Sequence, residues 1–318
     1  RAFEPEVIFV SDYTTFSASY LRHLKSECRS IKLVLGWCGA PYSDASVFKE
    51  YDIVLSNVPE LVCDFVAQGH RCYQINHAFE PRVLKRMRAV ESADVDFSFI
   101  GSISKNRHAH HRREELLLGL LERTNLQVFT DVYQPVLGDR LSVGARRLAY
   151  DAARTAASLG VPANILSSLP LLRKATAWDV RPSLPEPIDG RIARRARPPL
   201  FGLAMYQALQ QTRISLNTHI DLSSSHASNM RLYEATGVGT CLLTDWRPNL
   251  PTLFEPDSEI VSYRSVDECL ERLNYLMEHE KERRAIASAG QQRTLRDHTF
   301  DSRAKQLDDL IRSALMAQ

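Results

Sequence analysis

The stretch Ile214-Ser-Leu-Asn-Thr-His219, followed after a short loop by Asn229-Met-Arg-Leu-Tyr-Glu234-Ala-Thr-Gly-Val-Gly-Thr240-Cys-Leu-Leu-Thr-Asp245, decides the reading of this chain. Short apolar runs bounded by polar residues predict buried strands at 214–219 and 240–244. Between them a serine-rich loop enters a short helical segment that stops at Gly237 and Gly239. Strand, loop, helix and strand in that order form a βαβ unit, which belongs to a parallel sheet. Arg231 and Glu234, three positions apart, occupy neighbouring places on the helix. A carboxylate there can accept both hydroxyls of a ribose, while amides near Asn229 face a diphosphate at the helix start. As an isolated surface pair the two side chains would contribute well under about 1 kcal/mol. The seven polar or small residues of the loop, 223–229, exceed what a structural turn needs.

The same rhythm extends outward in both directions. Strands are expected at 97–100, 126–130 and 259–262, and upstream at 7–10, 32–35, 52–55 and 72–75. Helices fit at about 15–27, 58–68 and 112–123, and most of the last 55 residues read as helical. The pattern predicts an α/β protein of two Rossmann-like domains: 1–80, a linker at 81–95, and 96–300, with a final helix at 301–318. Residues 135–198 interrupt the second domain with an alanine- and arginine-rich helical insertion. Its run Arg191-Ile-Ala-Arg-Arg-Ala-Arg197 reads first as a solvated basic face, and second as a binder of phosphate or lipid head groups. Four strands make a small first domain, and the first strand follows Arg1 almost at once, so further units are expected ahead of it.

Composition narrows the class. The chain has 318 residues, 44% of them hydrophobic and 25% charged, with a formal charge of +2. That is globular composition, and near-neutrality gives no reason to expect nucleic acid as a partner. No apolar run approaches the roughly 20 residues that span a bilayer. Six scattered cysteines without a C-x-x-C pair read as reduced thiols in a cytoplasmic protein, with peripheral contact at the inner membrane face left open. The only Asp-x-Asp, Asp94-Val-Asp96, precedes a strand and is given no metal.

A second phosphate-handling turn is expected where Gly101-Ser102-Ile103 leaves the 97–100 strand and leads through Lys105 and Arg107 to Arg112 and Arg113. Glycine lets backbone approach a ligand closely, and arginines near a helix start suit a diphosphate. The nearby histidines at 108, 110 and 111 read as a wet, charged helix end rather than a metal site.

With these pieces assembled, the chain resembles the CgeB-like (spore-maturation-type) glycosyltransferases. The resemblance is carried by 229–245 and, in order, by Phe99-Ile-Gly-Ser102, Leu216-Asn217, Leu253-Phe254-Glu255 and His298-Thr299-Phe300 with Arg303. It spans roughly 95–318 outside the insertion. It implies a GT-B fold, two Rossmann-like domains facing a cleft, with donor in the second and acceptor mainly in the first. It implies transfer of a sugar from a nucleotide-diphosphate sugar to a hydroxyl of a glycan, lipid-linked glycan or protein, as in polysaccharide biosynthesis, with no cofactor or metal. Glu234 would hold the donor ribose, and Asn229 with Arg231 the diphosphate. The wider donor set is Gly101, Ser102, Arg107, Arg112, Asn217, His219, Ser228, Asn229, Met230, Arg231 and Glu234. An earlier acidic residue that many retaining members carry has no counterpart at Ala227-Ser228, so stereochemical outcome does not follow.

The acceptor side is less legible. Ligands of open α/β sheets sit beyond the C-terminal strand ends, which brings forward Asp12, Tyr13, Asp44 and His77. Asp12 and His77 are the candidates for activating the acceptor, against the plainer reading of a helix cap and a structural histidine. Rival classes are a nucleotide-sugar-binding module without catalysis and a phosphorylase- or epimerase-like enzyme. A nicotinamide enzyme is disfavoured because no G-x-G-x-x-G follows a strand.

Overall fold

The computed structural model describes residues 3–40, 42, 44–90, 93–103, 111–162, 165, 170–176, 178, 180–219 and 225–317. In the first part, β1 (Val7–Val10), α1 (Ala18–Glu27), β2 (Leu33–Trp37), β3 (Ile53–Ser56), α2 (Pro59–Ala67) and β4 (Cys72–Gln74) form a parallel sheet in the order β1-β2-β3-β4. Crossovers between parallel strands are right-handed, so strands added always in one direction put every connection on the same face. That face carries Val10, Val34, Val54 and Cys72 against Leu21, Phe48 and Phe65 of the connections. The opposite face, Leu33, Leu35, Ile53, Leu55 and Ile75, therefore has to be covered from elsewhere.

The second part continues with β5 (Val95–Ile100), α3 (His111–Leu121), β6 (Gln127–Phe129), α4 (Leu137–Ser158), α5 (Pro170–Thr176), α6 (Gly190–Arg195) and β7 (Ala196–Arg197). It then runs through α7 (Gly202–Gln210), β8 (Thr212–Asn217), α8 (Arg231–Gly237), β9 (Cys241–Asp245), α9 (Leu250–Leu253), β10 (Val261–Tyr263), α10 (Val266–Glu278), α11 (Glu280–Asp297) and α12 (Phe300–Met316). The strand order is β10-β9-β8-β5-β6-β7, all parallel. The sheet grows outward from β5 to β7 and then restarts on β5's other side with β8. The pair β5/β8 is thus the topological switch point, where loops leave to opposite faces and open a crevice. Helices α3 and α10 pack on one face through Leu117, Leu120 and Leu273. Helices α7, α8 and α9 pack on the other through Leu209, Leu232 and Leu250. Helix α8 ends as expected, with Gly239 at φ +83, a left-handed position that favours glycine.

Two features lay outside the sequence reading. The basic run at 191–197 is mostly committed locally: Arg191 pairs with Glu122 at 2.6 Å and Asp189 at 3.0 Å, and Arg197 lies over the Phe129 ring. Its end forms edge strand β7, so the insertion is stitched into the second sheet. The final helix returns to the first sheet, where Leu307, Leu310, Ile311, Ala314 and Leu315 cover its open face. The two crossings between the sheets meet, with Phe79 N donating to His298 O at 2.8 Å and Phe300 N to Phe79 O at 3.0 Å. No helix among the described residues is long and apolar enough to cross a membrane.

Candidate functional site

The crevice beyond β5 and β8 is organised by one buried arginine. Arg113, in the first turn of α3, donates to Ser102 O at 2.6 Å and Thr218 O at 2.7 Å, joining the loops on both sides of the switch point. Beside it Asn229 Nδ2 donates to Asn217 Oδ1 at 2.7 Å, and Asn217 Nδ2 to Thr244 Oγ1 at 2.8 Å. Tyr263 Oη, from the end of β10, donates to Asn217 O at 2.8 Å. Four strand ends are therefore tied together around Asn217, Thr218 and Asn229.

One side of this cluster opens into a pocket of about 300 Å3 lined by Arg112, Thr218, His219, Asp245, Arg247 and Arg264, among others. His219 is 2% exposed. Its Nδ1 stands 2.7 Å from Asp245 Oδ1, which also accepts the His219 backbone N–H at 2.9 Å. Arg247 takes the other oxygen at 2.9 Å. Burial raises the Asp245 carboxyl, but these partners outweigh it and hold the group below the usual carboxylate range.

Glu234 and Arg231 are arranged differently from the open, ligand-facing pair the sequence suggests. Arg231 turns into the protein, 2.8 Å from Glu234 Oε2 and 3.1 Å from Met205 Sδ. Met205 on α7 supplies the cover that makes an i,i+3 pair a buried one. Gly101 caps β5 by donating to Phe129 O at 3.1 Å. Ser228 is buried and its carbonyl accepts from Asn57 Nδ2 of the first sheet at 3.1 Å. Met230 is 47% exposed. Arg107 lies outside the described residues.

On the first-sheet side, an apolar cavity of about 510 Å3 is lined by Trp37, Leu55, Ile75, His77, Met230 and Phe300, among others. Burial pushes His77 down to about 4, so it is neutral near pH 7 and a weak base. Asp12 is exposed, and its Oδ1 accepts from Thr14 N at 2.8 Å and Thr14 Oγ1 at 2.7 Å. The backbone bond is the larger of two effects holding its carboxyl low. Asp12 closes this turn, while Ser17 caps α1. Asp44 is likewise occupied with Ser46 N, at 2.8 Å.

Among the described residues, no group of three or more His, Cys, Asp and Glu side chains is gathered to hold a metal ion. A family model described as glycosyl transferase-like matches residues 146–309, just over half of the chain. The chain belongs to that family. No curated protein sequence matches it. Solved structures of similar fold include sucrose-phosphate synthase from Thermosynechococcus elongatus, at 10% identity and TM-score 0.59, covering 98% of this chain and 74% of that one. Anabaena HepE in complex with UDP and glucose matches at 11% and 0.59, covering 97% and 78%. A Rickettsia africae glycosyltransferase matches at 8% and 0.56, covering 98% and 77%. At such identities the likeness shows the fold, which is the GT-B arrangement of two Rossmann-like sheets.

Within this glycosyltransferase-like chain, the structure gathers Ser102, Arg112, Asn217, His219, Ser228 and Asn229 of the expected donor set around one crevice. Sequence reasoning missed Asp245, Arg247, Arg264 and the clamping role of Arg113. A signal existed for Asp245: it is a carboxylate closing a buried strand, at the edge where open parallel sheets bind ligands.

Proposed function

We propose that this protein is a CgeB-like glycosyltransferase that moves a sugar from a nucleotide-diphosphate sugar to a hydroxyl acceptor, without a metal or other cofactor. The observation that carries this reading is the Arg113 clamp at the β5/β8 switch point, flanked by the Asn217–Asn229 pair and the arginine-lined pocket. In the transfer the anomeric carbon exchanges its bond to the diphosphate for one to the acceptor oxygen, and the acceptor hydroxyl's proton passes to solvent or to the departing phosphate. Negative charge then grows on phosphate, where fixed cations are most effective. In this reading Arg112, Arg247 and Arg264, which line the pocket, supply it. Nucleotide-binding neighbours of the same fold support the donor class, since HepE was solved with UDP. In this reading 96–300 holds the donor and 1–80 with the final helix presents the acceptor. The acceptor would approach through the cavity at His77, whose neutral imidazole serves to position a hydroxyl more than to deprotonate it.

A thermal-shift panel with UDP, GDP, ADP, dTDP and CMP on wild type and Asn229→Ala tests the reading. Ligand at about 100 times its dissociation constant adds about 2.7 kcal/mol. Stabilisation by one nucleotide, lost in the variant, is the expected outcome. If none of the five stabilises the folded protein, the donor reading fails.

A further inference from the structure

Helix α4 turns an apolar side to solvent. At 3.6 residues per turn Leu137, Leu141, Leu148 and the C-cap Leu159 fall within about 40° of one another around the axis. Each of the four is between 66% and 79% exposed. Ala145 and Ala152 widen the row, with Gly144 and Thr155 between them. The packed side of the helix lies opposite, where Ala153 is buried and Val143 and Tyr150 are half-buried. A surface helix ordinarily turns its leucines to the core and its polar residues to water. Four leucines in register on the solvent side mark a face that something else covers.

Charge identifies the cover. One flank of the leucine row carries Arg140, Arg147 and Arg154 at heptad spacing. Arg147 Nε donates to Pro182 O at 2.8 Å and Arg154 Nη2 to Trp178 O at 3.0 Å. Carbonyl partners hold these side chains in place without cancelling their charge. The acidic residues of the helix are engaged locally. Asp151 accepts from Arg181 at 2.9 and 2.6 Å, and Asp139 from Val136 N at 3.2 Å and Tyr133 Oη at 3.0 Å. The bias extends over the insertion: 135–198 holds 11 Lys and Arg against 5 Asp and Glu, whereas the remainder of the chain holds 29 against 33. A second copy seated on the leucines would bring positive charge toward positive charge. An anionic lipid surface offers the opposite sign together with an apolar layer for the leucines.

We propose that α4 is an interfacial helix that lies in the plane of an anionic membrane surface, with Leu137, Leu141, Leu148 and Leu159 at the acyl boundary and Arg140, Arg147 and Arg154 among the head-group phosphates. Lipid contact thereby passes from the run 191–197, where Arg191 and Arg197 have local partners, to the helix before it. The opposite side of α4 stays packed on α5, so the helix lies on the bilayer and does not cross it. This proposal is independent of the donor reading, since attachment to lipid needs no nucleotide.

Sedimentation of the purified protein with vesicles is the test. Vesicles of phosphatidylcholine alone are compared with vesicles containing about one third phosphatidylglycerol, at low salt and at about 0.5 M salt. The expected partition onto anionic vesicles is about tenfold or more above that onto neutral ones, and falls with salt. Leu148→Gln should weaken it about tenfold. Arg140→Gln should weaken it about fivefold, on anionic vesicles alone. Both side chains are exposed, so circular dichroism should show both variants folded; Leu141→Gln repeats the measurement if Leu148→Gln is not. Equal partition onto the two vesicle types, or none onto either, overturns the proposal. So does a folded leucine variant that binds like wild type, because the attraction would then be diffuse charge and not this face. A wild-type dimer in analytical ultracentrifugation that Leu148→Gln abolishes, with no vesicle binding, would assign the face to a second copy instead. Vesicle binding as expected without stabilisation by any nucleotide leaves this proposal standing and the donor reading fallen; the converse pair of results reverses the two.

Discussion

Replacing Glu234 by glutamine would leave Arg231 beneath Met205 with its countercharge gone. The pair is 2.8 Å apart with side chains only 14% and 8% exposed. Burial pushes the Arg231 guanidinium down and the Glu234 carboxyl up, each opposed by the other's charge. The two halves respond differently to loss of the partner, because a guanidinium does not give up its proton in proteins whereas a carboxyl readily takes one. Glu234→Gln is therefore expected to cost about 3–5 kcal/mol at both about pH 5 and about pH 8. Arg231→Met should cost a similar amount at the higher pH and distinctly less at the lower. The orphaned carboxyl protonates there, and each unit of its raised pKa corresponds to about 1.4 kcal/mol. Arg231→Met combined with Glu234→Leu should recover most of the loss, since two apolar groups leave no buried charge. Urea unfolding followed by tryptophan fluorescence at both pH values reads these differences. A Glu234→Gln variant within about 1 kcal/mol of wild type would refute the argument, because that is the behaviour of a solvated surface pair.

Two further outcomes follow from the packing. His77 titrates near 4 in the folded chain against an ordinary 6.5. The folded state thus binds fewer protons than the unfolded one between those values, and stability rises with pH through that window. On acidification from about pH 7 to about pH 5 the chain should lose about 2 kcal/mol through this residue. His77→Gln should abolish that part of the loss in urea unfolding, and an unchanged acid sensitivity would count against it. Gly237→Ala would place a methyl 2.4 Å from Phe79 Cγ, in the body of a fully buried ring. Overpacking there should cost about 1–3 kcal/mol despite alanine's better helix propensity. Adding Phe79→Leu should restore part of the lost thermal stability; a neutral single variant would show that the ring moves aside freely.

Most of the framework was legible because it depends on local pattern. The runs at 97–100 and 214–219 are apolar where the strands are buried, and the glycines after Glu234 end α8 where a turn must begin. What escaped was decided by residues distant in sequence. Arg231 looks like half of a surface pair until Met205, 26 positions earlier, covers it. Asp245 looks like a strand boundary until the His219 ring, 26 positions away, meets its carboxylate. Strand β7 is two residues long and rich in arginine, so no periodicity marks it. Asp12 has the residue type and strand-end position of a catalytic acid, yet its carboxylate accepts from the backbone and hydroxyl of Thr14 two residues on.

The first sheet has one face lined by its own connections and one lined by the last helix of the chain. Gln306 Nε2 donates to Gln74 O across 232 positions, and Arg303 Nε to Asn76 O across 227. On the ribosome the strands at 33–37 and 53–56 emerge long before the helix that shields them. Their leucines and isoleucines wait through the synthesis of the whole second sheet, a state prone to aggregation. The order of translation thus makes the early sheet a client of the chain's last residues. A nonsense codon near Leu307 would be felt far back in the sequence, removing the residues that pack on the leucines and isoleucines of β2 and β3.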